Sequence, residues 1–216
     1  DAVPSPGLPE PVGLIEEPTG ILAFPKGART GTFLHDVFEH LDFCEPSIYS
    51  RQELVKGKLA QYGYDHSWLE IVGHMVDKVL RVPLDPEQAD FCFSRVRSED
   101  RLNELEFYFP LKFLAPETVG RILGRSDLHQ GVPERIERLS FSPLRGFMKG
   151  FIDMVFRFED RYYLVDWKSN FLGANVEDYG PGNLARAMEE NFYTLQYTLY
   201  TLALNQYLKL KAARKS

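Results

Sequence analysis

Asp153 sits inside the apolar run Phe151–Phe158 and Asp166 closes the run Tyr162–Val165, so two carboxylates stand where strand residues should be apolar. The polar Glu159-Asp160 between the runs supplies a chain reversal, and a hairpin closed on those two residues sets Asp153 opposite Asp166. Facing carboxylates about 5 Å apart repel by roughly 3 kcal/mol at an effective dielectric near 20. A hairpin gains no stability from that arrangement, whereas a hard divalent cation with oxygen ligands turns it into a binding site. Lys168 follows Asp166 by two residues, which in a strand puts both side chains on one face. Carboxylates, a cation and an ammonium in one volume suit phosphoryl chemistry, with the ammonium orienting water or stabilising charge on the phosphate. The competing reading is a solvated cross-strand ion pair. Glu-Asp is not the favoured Asn-Gly turn, and a slip of one residue would separate the acids.

The elements that must position this hairpin are legible on both sides of it. Phe33, Leu34, Val37, Phe38 and Leu41 recur at helical spacing after Thr32, a candidate N-cap, and His35 borders that apolar face. Ser50 with Glu53, and Ser67 with Glu70, read as capping boxes opening two further helices, the second with the stripe Trp68, Ile71, Val72, Met75, Val76 and Val79. Pro83 and Pro86 end that region. Asn103–Phe113 reads as a strand with Glu104 and Glu106 on one face and Leu105 and Phe107 on the other. A short helix after Pro116 and a charged turn from Pro133 to Arg138 lead to the hairpin at 145–168. Pro181 opens a long helix to about Lys209, followed by a basic tail of Lys209, Lys211, Arg214 and Lys215. Gln196 and Tyr200, four apart, share a face of this helix, with Phe192, Tyr193 and Tyr197 nearby as packing residues. Helices flanking a few strands make a mixed α/β domain.

A chain of 216 residues, 44% hydrophobic, buries a substantial core in one domain, here 29–216, preceded by an arm at 1–28 that holds six prolines. No apolar run approaches a membrane span. Cys44 and Cys92 form no ligand-spaced pair, which fits a reducing compartment and opposes a zinc or iron–sulfur site. A start at Asp1 without methionine or a signal-like region is expected of a segment of a longer protein. The net charge of −6 is unfavourable for gripping nucleic acid alone, so a partner is expected to supply the basic channel. There is no P-loop signature, hence no ATP motor in this segment. His40, His66, His74 and His129 match no motif.

Gly150-Phe-Ile-Asp153, then Asp166-Trp-Lys168-Ser169-Asn170-Phe-Leu-Gly173, resembles the PD-(D/E)XK nuclease motif in its RecB-like form. Gly31-Thr-Phe-Leu-His35-Asp-Val-Phe-Glu39 resembles the helix that carries the family's histidine, and Gln196-Tyr-Thr-Leu-Tyr200 its Gln-x-x-x-Tyr motif, so the likeness covers about residues 25–205. The resemblance implies a restriction-endonuclease-like mixed β-sheet flanked by α-helices. It implies that His35, Asp153, Asp166 and the Trp167 carbonyl hold Mg²⁺, with Mn²⁺ as a substitute and Ca²⁺ binding without supporting catalysis. Lys168 takes the catalytic lysine's place, Glu104 is preferred to Glu106 as the further acid, and Gln196 and Tyr200 support the centre. The implied activity is exonucleolytic and endonucleolytic cleavage of DNA strands fed by a helicase region of the same polypeptide. That activity would serve double-strand-break repair and foreign-DNA degradation, with RecC-like and RecD-like partner subunits, in the bacterial cytoplasm at the nucleoid. Two rivals stay open: a non-catalytic nuclease-like module that guides DNA or contacts subunits, and a freestanding single-strand exonuclease of the CRISPR-associated type. The second normally carries four cluster-binding cysteines, and two distant cysteines cannot supply them.

Overall fold

The computed structural model describes residues 19–114 and 144–213. The expected helix after Pro116, the turn at Pro133–Arg138, His129, residues 1–18 of the arm, and Arg214 and Lys215 of the tail lie outside them. Within the described residues the fold is mixed α/β, as expected. Five helices, α1 (Ala28–His40), α2 (Ile48–Gln61), α3 (Leu69–Arg81), α4 (Pro181–Glu190) and α5 (Tyr193–Ala213), surround three strands, β1 (Arg101–Leu114), β2 (Leu144–Phe158) and β3 (Arg161–Val165). The strands are antiparallel in the order β1-β2-β3.

Helical periodicity dictates the first layer. α2 buries Val55 and Leu59, α3 buries Val72, Val76 and Leu80, and α1 buries Phe33 and Val37, each set spaced by one turn. These side chains close over Met154 and Phe156 of β2. On the opposite face of the sheet, Ile152 and Val155 pack against Ala203 and Leu204 of α5. The sheet is therefore enclosed between a three-helix layer and one long helix. Phe24 belongs to the first core and stacks on Phe33, so the chain just before α1 is fastened to the domain.

The helix starts differ from those expected. α1 begins at Ala28, so Thr32 lies inside it and hydrogen-bonds back to Ala28 O rather than capping. α2 is capped by Ser47, whose hydroxyl accepts from Ser50 N–H, and Asp65 accepts from Ser67 N–H ahead of α3. In both places a second polar residue two or three positions upstream competes for the same orphan N–H groups, and it wins. The long helix expected from Pro181 is two helices. Asn191 ends α4, and Phe192 takes φ 55 before α5 begins.

The hairpin turns on Glu159 and Asp160, with Phe158 paired to Arg161 and Met154 to Val165. That is the register in which Asp153 and Asp166 are level, although the ladder stops at Val165. The period-2 alternation breaks once in each long strand, at the same level. Ile152 and Val155, three apart, both face α5, so Asp153 and Met154 share the α1 side. In β1, Leu105 and Phe107 pack on the α5 side, while Asn103 reaches Glu39 O of α1 and Glu104 approaches His35. Because both strands slip together, pairing stays in step: Asn103 with Met154 and Leu105 with Ile152. The slip is written in the backbone as φ 49 at Glu104, a left-handed conformation that costs a non-glycine residue about 1–2 kcal/mol. Gly150, paired with Phe107, leaves room for that ring, which meets Tyr200 edge-on at 5.7 Å.

Phe156 is fully buried where the helical layer meets the sheet, touching Phe91, Phe93 and Tyr163. Phe156→Ala should cost about 3–5 kcal/mol in urea unfolding. A loss below about 1 kcal/mol would contradict this account of the core.

Candidate metal centre

α1 passes close to the segment after β3. A Cβ at Gly31 would lie 3.3 Å from Ser169 Oγ, so glycine lets helix and segment approach. His35, one turn on from Gly31, is held at both ring nitrogens: Nε2 lies 2.8 Å from Trp167 O, and Nδ1 lies 3.4 Å from Asp153 Oδ2. A carbonyl only accepts, so Nε2 is the donor in this arrangement and Nδ1 is the ring nitrogen turned to Asp153. Trp167 N–H donates to the same Asp153 oxygen at 2.7 Å. The Trp167 ring stacks on Phe38 at 4.4 Å and leans on Phe93 at 5.3 Å. Core packing thus fixes the backbone that presents both the carbonyl and the N–H.

His35, Glu104 and Asp153 come from α1, β1 and β2 and offer one donor atom each within 4.8 Å of one another. Asp153 is only 12% exposed at its side chain. Burial pushes its carboxyl up, the Trp167 N–H and His35 pull it down, and the charge of Asp166 pushes it up again. Partial burial, then the charge of Asp153, also pushes Glu104 up. Two acids that resist ionising beside each other, with a histidine, offer donor atoms of the kind that could hold a cation.

Asp166 falls outside that trio. Its Oδ1 accepts from Gln196 Nε2 at 3.1 Å and its Oδ2 is ion-paired with Lys168. Gln196 also donates to Tyr200 OH at 2.7 Å. The expected residues are therefore brought to one corner in two linked groups, His35-Glu104-Asp153 on the α1 side and Asp166-Lys168-Gln196-Tyr200 on the α5 side, with Trp167 between them. Of the two acids left open by sequence, Glu104 lies at the centre, while Glu106 pairs with Lys149 and accepts from Tyr108 OH. Tyr193 was expected only as a packing residue. Its ring lies 4.8 Å from Lys168 Nζ and its hydroxyl donates to Asn170 at 3.0 Å. Its spacing of three from Gln196 and seven from Tyr200, on one helix face, is the signal that could have found it.

A second group, Asp36, Glu39 and His40, also has donor atoms within 4.8 Å. Asp36 is already compensated by Lys58 at 2.7 Å and His40 at 3.0 Å, so this is an ion-paired helix surface. The two cysteines are free, and none of the described helices is long and apolar enough to cross a membrane.

No family model matches the chain. Curated relatives do. The chain is 39% identical over 203 residues to the RecBCD enzyme subunit RecB of Escherichia coli K12, a match covering 93% of this chain and 16% of that protein. It is 32% identical over 197 residues to RecB of Haemophilus influenzae, covering 91% of this chain and 16% of that protein. RecB of Mycobacterium tuberculosis is 30% identical over 209 residues, covering 88% and 19%. The chain spans less than a fifth of the length of these relatives and is homologous, over about nine-tenths of its own length, to one segment of them.

Both raised carboxyls have one consequence for pH. Each contributes stability that is fully present below its unfolded pKa, near 4, and lost as pH rises through its higher folded value. A bound cation offsets that loss, so the thermal shift given by Mn²⁺ should grow between about pH 5 and about pH 8. Asp153→Asn keeps an oxygen for the Trp167 N–H. It should raise the melting temperature of the cation-free chain and abolish the Mn²⁺ shift. An equal shift at both pH values, or one that survives in Asp153→Asn, would contradict the assignment.

Proposed function

We propose that this RecB-like segment is a divalent-cation-dependent deoxyribonuclease that hydrolyses phosphodiester bonds in strands delivered by a helicase region of the same polypeptide. The observation that carries the reading is the convergence of His35, Glu104 and Asp153 from three elements, with Asp166 and Lys168 at the adjoining end of β3. The donor set is oxygen-rich with one imidazole, which fits Mg²⁺ or Mn²⁺ better than a thiophilic metal. His35, Asp153, Asp166 and the Trp167 carbonyl would hold the ion, and Ca²⁺ would bind there without supporting cleavage. When bound, such an ion polarises a phosphate oxygen and acidifies water.

The remaining chemistry falls to the chain's own groups. Lys168 supplies positive charge for the phosphate as negative charge develops on it. Its ammonium is steadied between Asp166 and the face of Tyr193. Gln196, itself tied to Tyr200, fixes the Asp166 carboxylate. Glu104, with its carboxyl pushed up beside Asp153, is suited to accept a proton from attacking water.

The relatives are named as a subunit of the RecBCD enzyme. We extend that setting to this chain as RecC-like and RecD-like partners, with a role in processing broken and foreign DNA in the bacterial cytoplasm. The net charge of −6 supports a partner-built DNA channel. A purely structural module has no use for the strained Glu104 or for two destabilising carboxyls, and a non-catalytic reading gains nothing from them.

With Mg²⁺ the chain should degrade single-stranded DNA. Lys168→Ala should lower the rate by about 10²–10³-fold while leaving Mn²⁺ binding in place. Asp166→Ala should remove cleavage with the fold intact by circular dichroism. Undiminished Mg²⁺-dependent cleavage by Asp166→Ala would overturn the proposal. Gln196→Ala, acting only through Asp166, should lower the rate by about tenfold, measured at saturating DNA; no change would remove its positioning role.

A further inference from the structure

Ser169, Asn170 and Phe171, which follow Lys168 directly, form one wall of a cavity of about 210 Å³. Its other walls come from the turn at Gly20–Ala23, from Leu34 of α1 and from Met75 of α3. Ile21, Leu34 and Met75 make the interior apolar. Phe171 remains 41% exposed although it is large and aromatic. Lys26 and Lys168, both exposed, also border the cavity, and Lys26 Nζ lies 3.1 Å from the centre of the Phe171 ring.

We infer that this cavity receives an unpaired base of the strand being cut, next to the scissile phosphate. The inference rests on the nuclease reading above and adds a base-binding subsite to it. Lys168 belongs to both the cavity and the candidate centre, so a phosphate held at the centre has its own nucleoside within reach of Phe171. Size supports one base: the volume is below the roughly 300–1,000 Å³ of sites for larger ligands. Charge supports nucleic acid, because Lys26 and Lys168 border a cavity whose aromatic ring and aliphatic walls offer what a base stacks on. A base can enter only when it is out of a duplex stack, so the site selects single strands.

Some of the polar groups around the cavity have partners already. The Thr30 hydroxyl donates to Pro25 O and lies 2.9 Å from Tyr64 OH, while Asn170 Oδ1 accepts from Tyr193. The interior is chiefly apolar, so stacking is what holds the base there.

The test is equilibrium binding of a labelled oligothymidylate to the chain in Ca²⁺, by fluorescence anisotropy, against the same strand made of abasic sugars. Removing the bases should weaken binding by about tenfold. Phe171→Ala should weaken the intact strand by a similar factor and the abasic strand hardly at all, and Phe171→Tyr should bind as the original chain does. Equal binding of intact and abasic strands would overturn the inference, as expected if a protein segment fills the cavity instead. So would equal losses on both strands in Phe171→Ala, or no binding of either. A parallel Mg²⁺ incubation keeps the two readings apart: base-dependent binding without any product leaves the cavity assignment standing and removes the nuclease.

Discussion

Asp153 must carry a carboxyl in a half-buried corner within reach of Glu104 and under the charge of Asp166, and much of the surrounding structure exists to hold that arrangement. Repulsion alone would turn the three acids toward solvent. The Trp167 N–H donates to Asp153, and it stays in place because its indole is clamped between Phe38 and Phe93. Apolar packing in the helical layer, the cheap and plentiful interaction, thereby holds a polar geometry that is costly on its own. Lys168 and Gln196 do the same for Asp166 from the other side of the sheet.

The shared slip in β1 and β2 is the second half of the same constraint. Regular alternation would give each strand one residue toward α1 at every second position. By slipping together, the strands present the adjacent pairs Asn103-Glu104 and Asp153-Met154 to α1 without losing register. Met154 fills the core and Asn103 ties β1 to α1, while Glu104 and Asp153 bring two acids to His35. The strained φ at Glu104 is the local cost, and it falls on a residue of the candidate centre, where strain of this kind collects in proteins.

The hairpin was legible because Glu159-Asp160 is the polar interruption between two apolar runs; the helical stripe placed His35 at its edge, but only the resemblance of Gly31–Glu39 to the nuclease helix marked it as a site residue. Gln196 and Tyr200 were legible as a pair because helical spacing fixes a shared face. Other features were not. The slip at Glu104 leaves no mark on hydrophobic periodicity, since Glu104 and Asn103 are both polar and either could face outward. Ser47 and Asp65 lost to Ser50 and Ser67 on sequence because the latter complete capping boxes, yet the chain begins its turns earlier. The break at Phe192 was hidden by continuous helical composition across it, with Asn191 the only cue. Tyr193 follows that break, and only the restart of the helix there brings its ring to Lys168.

The central claim is that the corner between α1, β1 and the end of β3 is a cation site. Anomalous diffraction from crystals of the chain soaked in Mn²⁺ tests it most directly. The account predicts a single strong peak within bonding distance of His35 and Asp153, adjoining Asp166 and the Trp167 carbonyl. A peak elsewhere, such as at Asp36, Glu39 and His40, with none in this corner would contradict it.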